Sequence, residues 1–266
     1  MRVTFIGGGV MGEAMVRRLL AKEVAAAREI TVSDVSKARR EALSRGYGVN
    51  TLANNQKAVG NSGLVVLAVK PQDLDGVLRD LRSSLSQQLV LSIVAGASLA
   101  SLCQGLNHSL VVRAMPNMPA QIGEGITVWT ATAEVGEQYK EVASSILGAL
   151  GKEMYVSDER YIDMATALSG SGPAYVFLII EALVDAGVHI GLARSIAEKL
   201  VLETILGSAH AVAITGKTPA ELRNMVTSPG GTTAEGLLQL EKGGLRSSLL
   251  QAVIAAYNKA KELKAK

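Results

Sequence analysis

Three glycines near the amino terminus stand at a spacing suited to phosphate chemistry. Residues 6–12 read IGGGVMG, giving Gly7-x-Gly9-x-x-Gly12 directly after an apolar run. In this pattern the first glycine permits a tight turn and the second lets a pyrophosphate approach the backbone, while the third lets a helix pack close to a strand. A helix opening near Val10 and Met11, with Gly8 inside the loop, turns its free N–H groups and positive dipole end toward the phosphates. Ser33 and Asp34 end the next apolar run, where an acidic group commonly holds a ribose diol and repels a 2′-phosphate. Ser36, Lys37, Arg39 and Arg40 lie close enough in sequence to accommodate that phosphate, and Asp34 in DVSK also suits a helix N-cap. The choice between NADP(H) and NAD(H) stays open. The run 63–70 leads into AVKPQ, and ligands of open α/β sheets bind beyond the carboxyl ends of strands, so Val69, Lys70 and Pro71 border the dinucleotide. Lys70 reads as a solvated neighbour of the phosphates more readily than as an acid–base group.

Two later stretches share another design. SGSGPAYVF (169–177) and SPGGTTAEGL (228–237) each place glycine, proline and hydroxyls where a helix is expected to start. Bare N–H groups and hydroxyls at a positive helix end make an anion site without any lysine or arginine. Either stretch alone reads equally well as a plain N-cap. Two of them in a chain with a dinucleotide loop predict a small carboxylate held against the nicotinamide.

The elements that must position these residues change character along the chain. Apolar runs at 2–7, 29–34, 63–70, 89–96 and 109–116 alternate with helical stretches at Met11–Ala21, Ser36–Arg45 and Asp73–Leu81. Short continuous apolar strands between helices predict a parallel sheet covered on both faces, with 125–133 and 152–157 as edge strands. From Asp158 the pattern is helical only: Glu159–Leu168, Gly172–His189, Arg194–Thr215, Pro219–Val226, Thr233–Lys242 and Ser247–Lys264. Thr218, Pro219 and Glu221 supply a capping box with proline in the first turn. The fold class is therefore an α/β, Rossmann-like dinucleotide-binding domain over 1–157, followed by an all-α domain over 158–266. Helix Gly172–His189 is apolar on nearly every side, more than its own domain can bury, which predicts that a second copy covers it.

Composition narrows the class. The 266 residues are 48% hydrophobic but 3% aromatic, so the core is built from aliphatic side chains. A formal net charge of +3, spread along the chain, gives no reason to expect nucleic acid or a membrane surface as partner. A lone cysteine, Cys103, forbids an internal disulfide, and the three histidines are too scattered for a metal site. Apolar runs are expected to be interrupted by charge before the ~18 residues of a membrane span. With no signal-peptide pattern, the expected location is cytoplasmic.

The motifs FIGGGVMG, LAVKPQ, RAMPNMPA, ALSGSGPAYVF and ELRNMVTSPGGTTAEGLLQLE, in that order from end to end, resemble pyrroline-5-carboxylate reductase, with VTSPGGTT the most specific of them. The resemblance implies reduction of the cyclic imine 1-pyrroline-5-carboxylate to L-proline by NADPH or NADH. It implies that Gly7 to Gly12 grip the dinucleotide, that Ser33 and Asp34 select at the ribose, and that Asn55 contacts the adenosine side. Val69, Lys70 and Pro71, with Ala95 and Gly96, would line the nicotinamide. Ser228, Gly230, Gly231, Thr232 and Thr233 would hold the carboxylate, with Thr233 near the imine nitrogen and Thr166 facing the same site. The family's helical domains interlock as homodimers that assemble further, in some members, into decamers. A β-hydroxyacid dehydrogenase is the enzymatic rival, but its lysine, one turn into the corresponding helix, is replaced here by Val176. A reductase of another cyclic imino acid and a dinucleotide-binding regulatory module are further alternatives.

Overall fold

The computed structural model describes residues 1–264. β1 (Val3–Ile6), β2 (Ile30–Ser33), β4 (Leu64–Leu67), β5 (Leu89–Ser92) and β6 (Val111–Met115) match the five apolar runs. A three-residue strand, β3 (Asn50–Leu52), was not evident from the sequence. β7 (Gly125–Ala131) and β8 (Gly151–Tyr155) complete the order β3-β2-β1-β4-β5-β6-β7-β8. All pairs are parallel except β6 with β7.

Helices cover both faces because the central strands are buried throughout. α1 (Val10–Ala21), α2 (Lys37–Tyr47) and α6 (Glu137–Gly148) contribute to one apolar cluster, with Phe5, Val66, Leu91 and Val112. α3 (Asn55–Val59), α4 (Leu74–Leu81) and α5 (Leu99–Leu106) contribute to the other, with Ile6, Leu67, Val90 and Val111. Side chains alternate across a strand, so neighbouring residues of β6 divide between the two clusters. The strand order reverses direction at β1, which pairs with both β2 and β4, and their carboxyl ends flank a switch-point crevice.

The helical half begins with α7 (Arg160–Ala165), followed by α8 (Gly172–His189), α9 (Arg194–Thr215), α10 (Pro219–Met225), α11 (Thr232–Lys242) and α12 (Leu245–Lys264). α10 carries its capping box: the Glu221 N–H donates to Thr218 Oγ1 at 3.3 Å, and the Thr218 N–H to Glu221 Oε2 at 2.8 Å. Compact packing divides the chain later than the strand-to-helix change at 157/158. One unit comprises Met1–Ser171 with the stretch from Ala256 onward, and the other Gly172–Ala255. The reason is local, since α7 and the residue that caps it are tied to β6 by ion pairs from the buried Arg113 to Asp163 and Glu159.

Two expectations about α8 are corrected. It starts at Gly172 as expected but is not a separate element, because a π-helical turn over Thr166–Gly170 joins α7 to α8 in one helical run, Arg160–His189. That run is also long and apolar enough, by length and composition, to cross a membrane. The separate runs read from the sequence merge because the π turn carries the helix through the glycines. Within one chain α8 is far from buried: Phe177 is 49% and Leu178 65% exposed, and only Val184 of the helix is buried.

Candidate functional site

The glycine loop leaves β1 at the switch point, and each motif glycine has its own reason. Gly7 adopts φ +99°, and a Cβ there would lie 2.6 Å from the Ala68 carbonyl oxygen. A Cβ on Gly12 would collide with the Gly7 carbonyl oxygen, so α1 packs against the loop only because that position is bare. Gly9 differs, because a Cβ there would meet nothing within 4 Å. Packing does not require a glycine at this position. Gly9 is also the N-cap of α1, and no side chain caps that helix. Bare backbone, open space and an uncapped helix start fit a dinucleotide pyrophosphate.

A cleft of about 710 Å³ opens beside the loop and brings together Gly7, Gly9, Ser33, Asp34, Asn55, Val69 and Lys70. Ser33 Oγ donates to Asn55 Oδ1 at 2.7 Å, joining the end of β2 to the start of α3. Asp34 does not cap α2, whose N-cap is Ser36, accepting from the Arg39 N–H at 3.3 Å. Instead the Asp34 carboxylate accepts from the Gly8 N–H and the Ser36 N–H, both at 2.8 Å. A carboxylate has about four acceptor positions, so capacity for a ribose hydroxyl remains. Arg40 donates to the Asp34 and Val35 carbonyls at 2.6 and 3.0 Å, placing a cation at the same turn.

Gly8 is held from both sides, since Arg39 donates to its carbonyl and also pairs with Glu13. The Tyr47 hydroxyl donates to Glu13 at 2.9 Å. The Arg39 hydrogen bond, with Tyr47 adding to it, holds the Glu13 carboxyl below its ordinary range against an opposing effect of burial. Burial, then the bond to Glu13, pushes the Tyr47 phenol up.

Other residues singled out in the sequence lie outside this cleft. Val10 is exposed at the opening of α1, and Met11 packs against the core. Pro71 occupies the first turn after Lys70. Ala95 and Gly96 form the turn after β5, where Gly96 takes φ +79° and lies against Leu263 of α12. Gln72, Asp73, Gly76, Val77 and Asp80 line the cleft but were missed. Residues 73, 76, 77 and 80 recur at helical spacing beside the buried Leu74, Leu78 and Leu81, with Val77 packed on the same apolar cluster, so the signal was a helical stripe along α4 and its N-cap.

The stretch Ser228–Thr233 is an exposed turn leading into α11. The Gly231 N–H donates to the Ser228 carbonyl at 3.1 Å, Gly230 takes φ +67°, and Gly231 is an N-cap without side-chain help. The helix starts at Thr232, one residue earlier than expected, so both threonines belong to its first turn. The arrangement presents backbone N–H groups and hydroxyls together, suited to a carboxylate. SGSGP does not repeat it. There the Ser171 N–H donates to the Thr166 carbonyl at 2.9 Å, and the Ser169, Ser171 and Thr166 hydroxyls can donate to carbonyls of the same run. Among the described residues, no group of three or more His, Cys, Asp or Glu side chains could hold a metal ion.

Residues 159–263 match the family model described as "Pyrroline-5-carboxylate reductase dimerisation". Residues 2–96 match one described as "NADP oxidoreductase coenzyme F420-dependent". A pyrroline-5-carboxylate reductase of Synechocystis is 46% identical, the alignment covering 97% of this chain and 96% of the relative. The chain belongs to the pyrroline-5-carboxylate reductase family. An Arabidopsis thaliana member is 40% identical over 98% of this chain and 95% of its own. Among solved structures, the pyrroline-5-carboxylate reductase of Coxiella burnetii superposes with a TM-score of 0.90 at 39% identity, covering 98% of both chains. A Plasmodium falciparum pyrroline carboxylate reductase with NADP bound gives 0.92 at 32% identity, over 99% of this chain and 98% of that one. Family membership accounts for the pairing of a nucleotide-binding sheet with a helical half.

Proposed function

We propose that this chain reduces 1-pyrroline-5-carboxylate to L-proline with NADPH or NADH, the last step of proline synthesis. The observation that carries this reading is end-to-end similarity to pyrroline-5-carboxylate reductases, which the glycine loop and the turn before α11 support independently. The Gly7–Gly12 loop and the start of α1 hold the pyrophosphate, with Ser33, Asp34 and Asn55 at the ribose and adenosine. Val69, Lys70 and Pro71, with Ala95 and Gly96, line the nicotinamide. When bound, the cofactor supplies the hydride that adds to the imine carbon.

The chain's own residues bind and orient. N–H groups around Gly230, Gly231 and Thr232, with the Ser228 hydroxyl, take the substrate carboxylate. The Thr233 hydroxyl orients the imine nitrogen and its proton. A protonated imine is already electrophilic, so positioning provides most of the acceleration and no strong acid is required. Thr166 donates its proton to the Ile162 carbonyl at 2.8 Å, which keeps its lone pairs as acceptors toward the substrate. Thr233→Ala is expected to lower kcat/KM for the imine by roughly 10- to 150-fold, equivalent to about 1.5–3 kcal/mol for a bond to a charged group. Cofactor affinity should hardly change, and steady-state kinetics with cofactor titration check both.

The exposed apolar residues of α8 and α9, including Phe177, Leu178, Leu200 and Ile214, are covered by a second copy of the chain in a homodimer. Five such dimers can assemble further into a decamer, and the protein works in the cytoplasm. Light scattering at micromolar concentration is expected to give a dimer or larger species, and a stable folded monomer would contradict the reading. The activity itself is tested by the initial rate of reduced-nicotinamide oxidation with pyrroline-5-carboxylate and each cofactor in turn. No rate above the substrate-free control with either cofactor would refute it.

A further inference from the structure

Arg113 is among the largest fully buried side chains, 2% exposed, and nothing in the proposed chemistry uses it. It lies in the middle of β6, opposite Ser92 of β5 and Thr130 of β7. Its guanidinium reaches two carboxylates from the stretch that opens α7. Nη1 donates to Glu159 Oε1 at 2.7 Å, and Nη2 to Asp163 Oδ1 at 2.6 Å. A planar guanidinium fixes the directions of both bonds, which an ammonium group cannot do.

Each carboxylate leads to a different segment assigned to the reaction. Glu159 Oε1 also accepts from the Leu99 N–H at 2.8 Å, the first residue of α5, which follows the Ala95–Gly96 turn. Asp163 lies in α7, one turn before the π-helical Thr166–Gly170 segment, whose first residue bonds back to Ile162. A Cβ on Gly170 would sit 3.1 Å from Met115 Cε, so this segment packs on the end of the strand that carries Arg113. Single π turns inside helices are rare and frequently occur at functional sites.

We propose that Arg113 is a positioning residue for the reduction, setting the nicotinamide-side turn through Glu159 and the Thr166 turn through Asp163. The inference rests on the functional reading above for the roles of Ala95, Gly96 and Thr166. One guanidinium thus fixes two segments contributed by distant parts of the chain. A small displacement of a reacting group can cost about a hundredfold in rate, so loss of either bond should register in kinetics.

The test uses the full-length enzyme in its native assembly, with Arg113→Lys, Glu159→Gln and Asp163→Asn assayed well below their melting temperatures. Asp163→Asn is expected to lower kcat by about tenfold or more with cofactor KM within about twofold of wild type. Glu159→Gln is expected to raise cofactor KM several-fold, and Arg113→Lys to show both defects. Hydrogen exchange should quicken at residues 95–99 in Glu159→Gln and at 166–171 in Asp163→Asn, each change confined to its segment. If all variants keep wild-type kcat and KM while only the melting temperature falls, Arg113 is a structural bolt and the proposal is overturned. Should Arg113→Lys fail to fold, the two near-isosteric variants decide. If the wild-type enzyme does not turn over the imine, the functional reading fails by itself. Exchange confined to those two segments would still support their coupling through Arg113, and uniform or unchanged exchange would overturn it.

Discussion

Gly9→Ala is expected to leave the melting temperature unchanged and to raise the dissociation constant for NADPH by about tenfold or more, a change of about 1.4 kcal/mol. The space around Gly9 is open in the protein itself, so an added methyl group meets no neighbour in the fold. It would meet the pyrophosphate, because a helix N-terminus binds phosphate through close approach of its bare backbone. Gly12→Ala should behave differently. Its Cβ would collide with the Gly7 carbonyl, a backbone atom that cannot swing aside, so overpacking of about 1–3 kcal/mol falls on the fold. Thermal unfolding with and without cofactor, together with a fluorescence titration, separates the two. Unchanged NADPH affinity in a folded Gly9→Ala variant would remove this loop from the cofactor site.

Arg113→Leu is expected to cost about 3–5 kcal/mol, because it removes the buried cation that compensates the Glu159 and Asp163 carboxylates and puts an apolar side chain in its place. At about 2–4 °C per kcal/mol for a chain approaching this size, the melting temperature should drop roughly 6–20 °C. The same reasoning predicts partial rescue. Adding Glu159→Gln and Asp163→Asn to Arg113→Leu removes the uncompensated charges and should recover a large part of the loss, since breaking a buried pair costs more than replacing all its members. Calorimetry of the single and triple variants measures this. A triple variant no more stable than the single one would show that the carboxylates are not the source of the penalty.

The parts of the fold legible in the sequence are those governed by local periodicity. Runs such as Leu64–Leu67, buried on both faces, announce themselves by continuous apolar character. The end of α9 and the cap on α10 follow from the glycine at position 216 and from Thr218, Pro219 and Glu221. β3 was missed because three residues, two of them exposed, carry no periodicity. The join between α7 and α8 is hidden in the sequence for a related reason. Pro173 offers no N–H to the Ser169 carbonyl, which in sequence looks like a helix beginning, yet the π turn lets the helix continue through it.

Arg113 illustrates a different limit. An arginine in an apolar run does not name its partners, and here they lie 46 and 50 residues along the chain. At the cleft beside β1, the glycine spacing, Ser33, Asp34, Val69 and Lys70 are legible in the sequence because they follow from strand ends. The α4 stripe needed the three-dimensional placement of that helix. Substrate identity lay beyond spacing altogether, since hydroxyls and amides at a helix start suit many carboxylates.

The central claim is hydride transfer from a nicotinamide to a cyclic imine, and isotopic labelling tests it most directly. NADPH or NADH carrying deuterium at the transferring position, incubated with the enzyme and pyrroline-5-carboxylate, should yield L-proline one mass unit heavier, with the label on the former imine carbon. Proline that remains unlabelled with both stereospecifically labelled forms of each cofactor, or no proline at all, would contradict the account.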